Sequence, residues 1–390
     1  MTTARLAAEA TDELAARVRG AHAAHETLRV VGSGSWLDAG RPVTHHGEVS
    51  VAALSGVVEY TPGDLVLTVR AGTTLAAIAE ITAEHGQWLA LDPPGSAAST
   101  IGATIATATS GPLALGSGTV RDLVLGLSQI IGTGTRVQVG GRVVKNVAGF
   151  DLVRLATGSF GTLGVITEVS VRLHARPACD ATFVVSHDEV EALLAITARL
   201  GHNTLAFGAL EVLNPALAEA VGIGSGGAWV LLARAIGNPA AVQALRQSLA
   251  ALADVCDADT QLWHALQKSD GDAATLRVSA PPAHIGRTVT QTQLAFANHA
   301  TRLRVTPHRG TVRIAVPHAE PLPAVAWTTA LASTLEQLSS HVHKVVGERL
   351  PSRVWRVLPA TTVDPISRRI RDAFDPHRIM NRGIFGEHNA

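Results

Sequence analysis

The sequence predicts an α+β protein of two domains, the second built on a mainly antiparallel sheet. Three observations carry this expectation. A chain of 390 residues is too long for one ordinary hydrophobic core. Up to about residue 177, loops of glycine, serine and threonine sit at the ends of apolar strands. Beyond that point such loops thin out and strands alternate with longer helices, the pattern of helices layered on one face of an antiparallel sheet. The expected boundaries are 1–177 for the first domain, 178–345 for the second and 346–390 for a C-terminal segment.

Residues 4–26 are rich in Ala, Leu, Glu and Arg, with Leu6, Leu14 and Val18 at helical spacing, and predict a packing helix. Leu28-Arg29-Val30-Val31 reads as a buried strand running into the small-residue loop Gly32-Ser33-Gly34-Ser35. Val57–Tyr60 and Leu65–Val69 read as strands around Thr61-Pro62-Gly63-Asp64, where Pro-Gly favours a type II turn. Thr73 or Thr74 caps a helix through about Glu84, closed by His85-Gly86. Leu89-Ala90-Leu91 reads as a short strand stopping at Asp92-Pro93-Pro94-Gly95. Thr100 to Thr109 is a run of small residues that suits a short helix with its backbone towards a ligand. Val124–Ile131 and Arg136–Val139 are strands joined at Gly132-Thr133-Gly134, and Val165–Leu173 is a further strand. In the second domain, 182–185, 229–233, 276–279 and 312–316 read as strands, and 187–200 and 238–254 as amphipathic helices. A helix from about Pro365 precedes Asp375-Pro376 and Asn381-Arg382-Gly383.

Composition narrows the function classes. Lys+Arg and Asp+Glu balance at 32 each, so no global charge argues for nucleic acid or an acidic membrane surface. Two cysteines, Cys179 and Cys256, form no CxxC pair and cannot by themselves hold an iron–sulfur cluster or a structural zinc; a single disulfide is open to them but not required. The pairs His45-His46 and His341-Val342-His343 read as surface rather than as a ligand set, and no metal site is expected. No long apolar run suggests a leader or a membrane span, and a cytoplasmic location is the default.

The most informative stretch is Gly140 to Glu168, which places six glycines by residue 164 among residues of high strand propensity and ends in Gly158-Ser-Phe-Gly161-Thr162-Leu-Gly164-Val165-Ile166-Thr. Glycine at this density brings backbone close to something bulky. Together with the loops at 32–35, 93–109 and 116–122, it supplies backbone N–H groups and hydroxyls suited to a large dinucleotide with two phosphates. A Rossmann site is disfavoured, because Gly32-Ser-Gly34 lacks the third glycine and no helix opens there, while Gly132-Thr-Gly134 sits between two strands. No Gly-Lys-Ser/Thr of a P-loop occurs.

In order along the chain, Val31-Gly32-Ser33-Gly34-Ser35, Val69–Leu75, Thr100-Ile101-Gly102-Ala103, Gly116-Ser-Gly-Thr-Val-Arg121-Asp122 and Gly158–Thr167 resemble the pyrophosphate loop and successive motifs of the PCMH-type FAD-binding domain of the vanillyl-alcohol oxidase family. Gly141-Arg-Val-Val-Lys145-Asn146-Val-Ala-Gly149-Phe-Asp151, with Leu262–Leu266, Arg277–Pro282 and the closing Phe374-Asp-Pro and Asn381-Arg-Gly, is most similar within it to the GlcE type, the FAD-binding subunits of glycolate oxidases. Ala103 stands where many relatives carry a second glycine, and the histidine-rich metal motif of related dehydrogenases is missing from the second domain.

The resemblance implies an FAD domain of two α+β halves, an inserted cap domain and a C-terminal segment returning to the FAD domain. It implies FAD contacts from Val31 to Ser35, Pro94, Gly95, Thr100 to Ala103, Arg121, Asp122, Lys145, Asn146, Gly158, Gly161, Thr162, Gly164, Val165, Ile166 and Asn381. The pyrophosphate loop has no histidine, so FAD is expected to be held non-covalently. For a small 2-hydroxy acid, Arg277 is the candidate carboxylate clamp, its alternative being an ordinary surface ion pair. His264 is a candidate base and otherwise a plain helix residue. Lys145 and Asn146 are candidates for the flavin edge where negative charge develops, or else merely fix a turn. Two functions stand open: oxidation of glycolate or a related 2-hydroxy acid, and a non-catalytic FAD-bearing assembly or relay subunit. Either implies a sister FAD subunit and an iron–sulfur subunit, with membrane association only through partners. A stand-alone flavin oxidase of another alcohol is a third reading.

Overall fold

The computed structural model describes residues 3–141, 151–201, 206–318, 324–341, 344–358 and 365–386. The chain divides into two units: Met1–Ser110, Gly118–Arg176 and Ala360–Ala390 make one, and Gly111–Ser117 with Pro177–Pro359 make the other.

The first unit opens with α1 (Thr3–Ala24), followed by β1 (Leu28–Val31) and β2 (Gly47–Ser50), which pair in parallel from Leu28↔Gly47 to Val31↔Ser50. Next come β3 (Val57–Thr61), β4 (Val66–Arg70), α2 (Leu75–Ala83), β5 (Gln87–Trp88) and α3 (Ile101–Thr107). The short α4 (Ala114–Ser117) belongs to the second unit. The first unit then continues through α5 (Val120–Leu123), β6 (Val124–Ile130), β7 (Arg136–Gly140), α6 (Leu152–Ala156), β8 (Val165–Arg172) and β9 (His174–Ala175). Five strands form one antiparallel sheet in the order β3-β4-β8-β6-β7. Its inward residues Leu67, Val69, Leu127, Val169 and Val171 join Leu28, Ile101 and Ile105 in one core.

Local chemistry explains the boundaries. Thr74 caps α2 by accepting from the Ala77 N–H at 3.1 Å, and Thr100 caps α3 by accepting from the Ala103 N–H at 3.3 Å. Two expectations are corrected. Pro62–Asp64 forms a 3-10 turn rather than a type II turn: the left-handed residue is Leu65, with φ +55°, and its N–H closes on the Pro62 carbonyl. The short strand lies at Gln87–Trp88, paired with His174–Ala175, not at Leu89–Leu91. Tyr60 donates to Gln87 and Gln87 donates to the Pro62 carbonyl, anchoring that segment one step earlier than the apolar triplet suggests.

The second unit contains β10 (Cys179–His187), α7 (Val190–Leu200), β11 (Ala209–Leu213), α8 (Pro215–Ala220), β12 (Trp229–Gly237), α9 (Pro239–Ala250), β13 (Cys256–Ala258), α10 (Gln261–Lys268), β14 (Ala274–Ser279), α11 (Ile285–Ala295), β15 (Arg302–Thr306), β16 (Thr311–Val316), α12 (Ala324–His341) and β17 (Lys344–Arg349). Eight strands form one antiparallel sheet in the order β13-β10-β12-β11-β15-β16-β14-β17. Asn214-Pro215 and Asn238-Pro239 start α8 and α9 alike: each asparagine accepts from the N–H three residues on, and proline takes the first helical position. One face of the sheet carries the main core, with Leu210, Val212, Leu276, Val278, Leu303, Val305, Val312 and Ile314 packed with residues of α7, α9, α11 and α12. On the other face, residues of β11 and β12 bury Trp263 and Leu266 of α10. Both cysteines are free thiols.

The C-terminal segment completes the first unit. After α13 (Pro365–Phe374), Met380 bridges Leu28 in parallel. Asp375 is fully buried and its carboxylate accepts from the N–H groups of Ile379 and Met380 at 3.0 and 2.8 Å. No helix among the described residues is long and apolar enough to cross a membrane.

Candidate functional site

A cleft opens in the first unit. Its walls come from the end of β1 and the loop after it, from α3, and from the turn between α6 and β8; Asn381 and Ile384 contribute from the C-terminal segment. Of the residues singled out from the sequence, Gly32, Gly34, Ser35, Gly102, Ala103, Gly161, Gly164, Ile166 and Asn381 line it.

Close backbone approach sets the shape of these walls. A Cβ on Gly32 would stand 2.5 Å from Thr100 Oγ1, and one on Gly102 would stand 2.8 Å from Ala71 Cβ. Gly161 combines a φ of +70° with a neighbour that a Cβ would meet at 2.7 Å, the Asn381 Nδ2. Ser35 Oγ lies 2.9 Å from Ser33 Oγ and accepts from Ser99 Oγ at 3.0 Å, a chain of hydroxyls along the loop. Among the described residues no carboxylate lines the cleft, and Arg29 is the one charged residue that does. Its guanidinium donates to the Leu37 carbonyl. A wall of glycine backbone, hydroxyls, one guanidinium and the rings of Trp36 and Phe160 suits an aromatic dinucleotide whose diphosphate carboxylates would repel.

Other sequence candidates lie outside this lining. Val31 uses its carbonyl to accept from the Val51 N–H at 2.9 Å. Thr100 and Ile101 are buried, the first as the α3 cap and the second in the core. Gly158 donates its N–H to the Ile105 carbonyl, tying the turn to α3, and Thr162 Oγ1 donates to the Ser159 carbonyl at 2.7 Å within the turn itself. Val165 is fully buried. Asp122 accepts from the Thr119 N–H and Oγ1 at 2.9 and 2.7 Å, bonds that hold its carboxyl below the usual range, and Arg121 beside it is exposed. Pro94 and Gly95 form a turn away from the cleft lining. Lys145 and Asn146 lie outside the described residues. Sequence reading missed Trp36, Phe160, Thr107 and Ile384. The first three adjoin glycine- or threonine-rich loops that were recognised, so proximity to those loops was the available signal.

In the second unit, the sheet face opposite the main core carries charge. Arg304 of β15, Arg313 of β16 and Arg277 of β14 are direct cross-strand partners. Like charges in such register repel, and carboxylates offset two of the three. Arg313 is clamped by Asp270, with N···O distances of 3.1 and 2.6 Å, and also pairs with Glu348. Burial raises the Asp270 carboxyl, but Arg313 and the more distant Arg304 and Arg349 outweigh it and hold Asp270 below its usual range. Arg304 Nε lies 4.0 Å from Glu211 Oε2, and Glu211 also accepts from Thr306 Oγ1 at 2.8 Å. Complete burial pushes the Glu211 carboxyl up to about 7 despite Arg304. Arg277 is the member without an ion pair among the described residues; its Nε, like that of Arg304, is buried with no hydrogen-bond partner there, and burial lowers its affinity for the proton. His264 is exposed on α10, between the buried Trp263 and Leu266, and no hydrogen bond among the described residues orients its ring. No group of three or more metal-ligating side chains occurs among the described residues.

The profile of a family described as an FAD binding domain matches residues 2–140. Among curated proteins, the glycolate oxidase subunit GlcE of Escherichia coli (strain K12) is 45% identical over 152 residues, 38% of this chain and 43% of that one. The glycolate oxidase subunit GlcD of Bacillus subtilis (strain 168) is 33% identical over 41% of this chain and 34% of its own. A D-lactate dehydrogenase of Archaeoglobus fulgidus is 26% identical over 90% of this chain and 84% of its own. The matches to the two glycolate oxidase subunits thus span less than half of those proteins' lengths. Among solved structures, an alkyldihydroxyacetonephosphate synthase superposes with a TM-score of 0.70 at 16% identity, covering 95% of this chain and 74% of that one, which shows a common fold. Residues 2–140, most of which lie in the first unit, thus match the FAD-binding domain family.

Proposed function

We propose that the chain is an FAD-dependent oxidoreductase of small 2-hydroxy acids, similar to a glycolate oxidase subunit and passing electrons to a partner or acceptor. The observation that carries the reading is the cleft lined by glycines, with no carboxylate among its described residues, in a stretch that matches FAD-binding proteins. The relatives' names supply the substrate class, since glycolate and D-lactate are both 2-hydroxy acids. When bound, FAD supplies the two-electron acceptor. The loop at 32–35, Gly102, Ala103 and the turn at 161–164 would hold it, non-covalently in this reading, since neither histidine nor cysteine lines the cleft among the described residues.

Arg277 supports the substrate half of the reading. Its neighbour Arg313 is already paired with two carboxylates and Arg304 with Glu211, so the planar fork of Arg277, which has no ion pair among the described residues, is the one in that row suited to take a substrate carboxylate by two parallel hydrogen bonds. With two cysteines in the chain, an iron–sulfur relay would belong to a partner, alongside a sister FAD subunit.

The test is anaerobic addition of glycolate or D-lactate to the FAD-loaded chain. Loss of the visible flavin absorption in the isolated chain supports oxidation by this chain; loss only after a sister subunit is added favours the assembly role. Arg277→Ala should raise the substrate concentration needed for half-maximal bleaching by roughly 10–100-fold, the worth of a charge-assisted pair. An unchanged half-maximal concentration removes Arg277 from the site.

A further inference from the structure

The cleft walls are tied together by a single side-chain amide. Asn381 Oδ1 accepts from the Val30 N–H at 2.8 Å, and Asn381 Nδ2 donates to the Phe160 carbonyl at 2.6 Å. The partners dictate the orientation of the amide, since a backbone N–H must meet the oxygen and a carbonyl must meet the nitrogen. Val30, Phe160 and Asn381 all line the cleft. The backbone of Asn381 donates to the Leu28 carbonyl at 2.9 Å, which seats the residue against β1.

The segment that the amide holds is under strain. Phe160 has a φ of +52°, a left-handed conformation disfavoured for a bulky side chain. Its N–H donates to the Ala106 carbonyl of α3 at 2.7 Å, while its own carbonyl is taken by Asn381. Asn381 is itself left-handed, with a φ of +42°, a region asparagine tolerates better than most residues. One group thus bridges the strand that enters the small-residue loop and the turn that carries Gly161.

We infer that Asn381 is a positioning residue for the dinucleotide, its amide setting the spacing between β1 and the Phe160–Gly164 turn on which FAD would rest. This rests on the FAD-binding reading of the cleft. It also changes the role expected from the sequence: the amide is spent on the protein's own backbone, and its influence on the cofactor passes through Val30 and Phe160.

Two variants of the full-length chain separate this role from simple support. Asn381→Gly keeps the left-handed backbone and deletes the amide. Asn381→Asp keeps the acceptor for Val30, loses the donor for Phe160 when ionised, and regains a donor when protonated. FAD is titrated into each apo chain by quenching of flavin fluorescence, at a temperature where circular dichroism shows all three chains folded. Both variants should bind at least about tenfold more weakly than the parent near pH 8. Burial and the facing Phe160 carbonyl should raise the introduced carboxyl above its free value of about 3.9, so the Asn381→Asp deficit, taken as a ratio to the parent at each pH, should shrink as pH falls to about 4.5 and the carboxyl protonates. Parent-like affinity in both variants, or a ratio that stays flat across that range, overturns the inference. A parent chain that quenches no flavin at all overturns the FAD reading and the role of Asn381 with it.

Discussion

Glu211→Gln isolates the cost of a buried carboxylate. Glu211 lies on β11, accepts from Thr306 Oγ1, and faces Arg304 and, farther off, Arg309. Burial raises its pKa from 4.5 to about 7. Between those values the folded chain keeps a proton that the unfolded chain has released, so the stabilisation is complete below about pH 4.5 and is lost as pH rises through about 7. At 1.36 kcal/mol per pKa unit the full loss is about 3 kcal/mol, of which about 2.5 kcal/mol falls between pH 5 and pH 8.5. Glutamine resembles the neutral acid, still accepts from Thr306 and does not titrate. The unfolding free energy of the variant relative to the parent should therefore climb by about 2.5 kcal/mol, in favour of the variant, across that range. Urea unfolding at four or five pH values measures it, followed by tryptophan fluorescence, for which Trp229, Trp263, Trp327 and Trp355 report on the second unit. Two stability curves that run parallel from pH 5 to pH 8.5 would refute the reasoning, because Glu211 would then titrate alike in the folded and unfolded chains.

Arg313→Ala should destabilise the second unit by about 3–5 kcal/mol, because it leaves the half-buried Asp270 and Glu348 without their shared counter-charge; a loss below about 1 kcal/mol in urea unfolding would show that the carboxylates find other partners. Gly161→Ala introduces a side chain at φ +70° and drives a Cβ against Asn381 Nδ2. It should weaken FAD binding and cost roughly 1–3 kcal/mol of stability in the first unit, and parent-like flavin quenching together with an unchanged melting temperature would count against the tight contact.

Much of the first unit was legible because its signals are local. Thr74 and Thr100 announce helix starts through their own side chains. The glycine clusters at 32–34 and 161–164 mark close approaches that the cleft then displays. Strands β11, β15 and β17 were not recognised. In β15, Arg302-Leu303-Arg304-Val305 carries the same alternation as the recognised β14 and β16, but places arginines on a face that is largely buried. The row of arginines depends on pairing among residues 277, 304 and 313, which register alone brings together. Asp122 illustrates the converse: a motif residue that resembles a cofactor contact is engaged locally, capping its own short helix. Ile384 gave no pattern at all, because what recruits it is the concavity of the finished fold.

The first unit is assembled from three separated stretches of chain, and this shapes how it is made. Asn381 is synthesised 221 positions after Phe160, the residue it fastens. At roughly 5–20 residues per second, the ribosome takes roughly 10–45 s to cover that interval. Throughout it, β1, α3 and the Phe160 turn can be out in the open while the amide that joins two of them has yet to be translated. The second unit, whose main stretch is Pro177–Pro359, is spelled out in full during the same wait. Capture of the dinucleotide is thus expected to follow, rather than guide, the folding of the nascent chain.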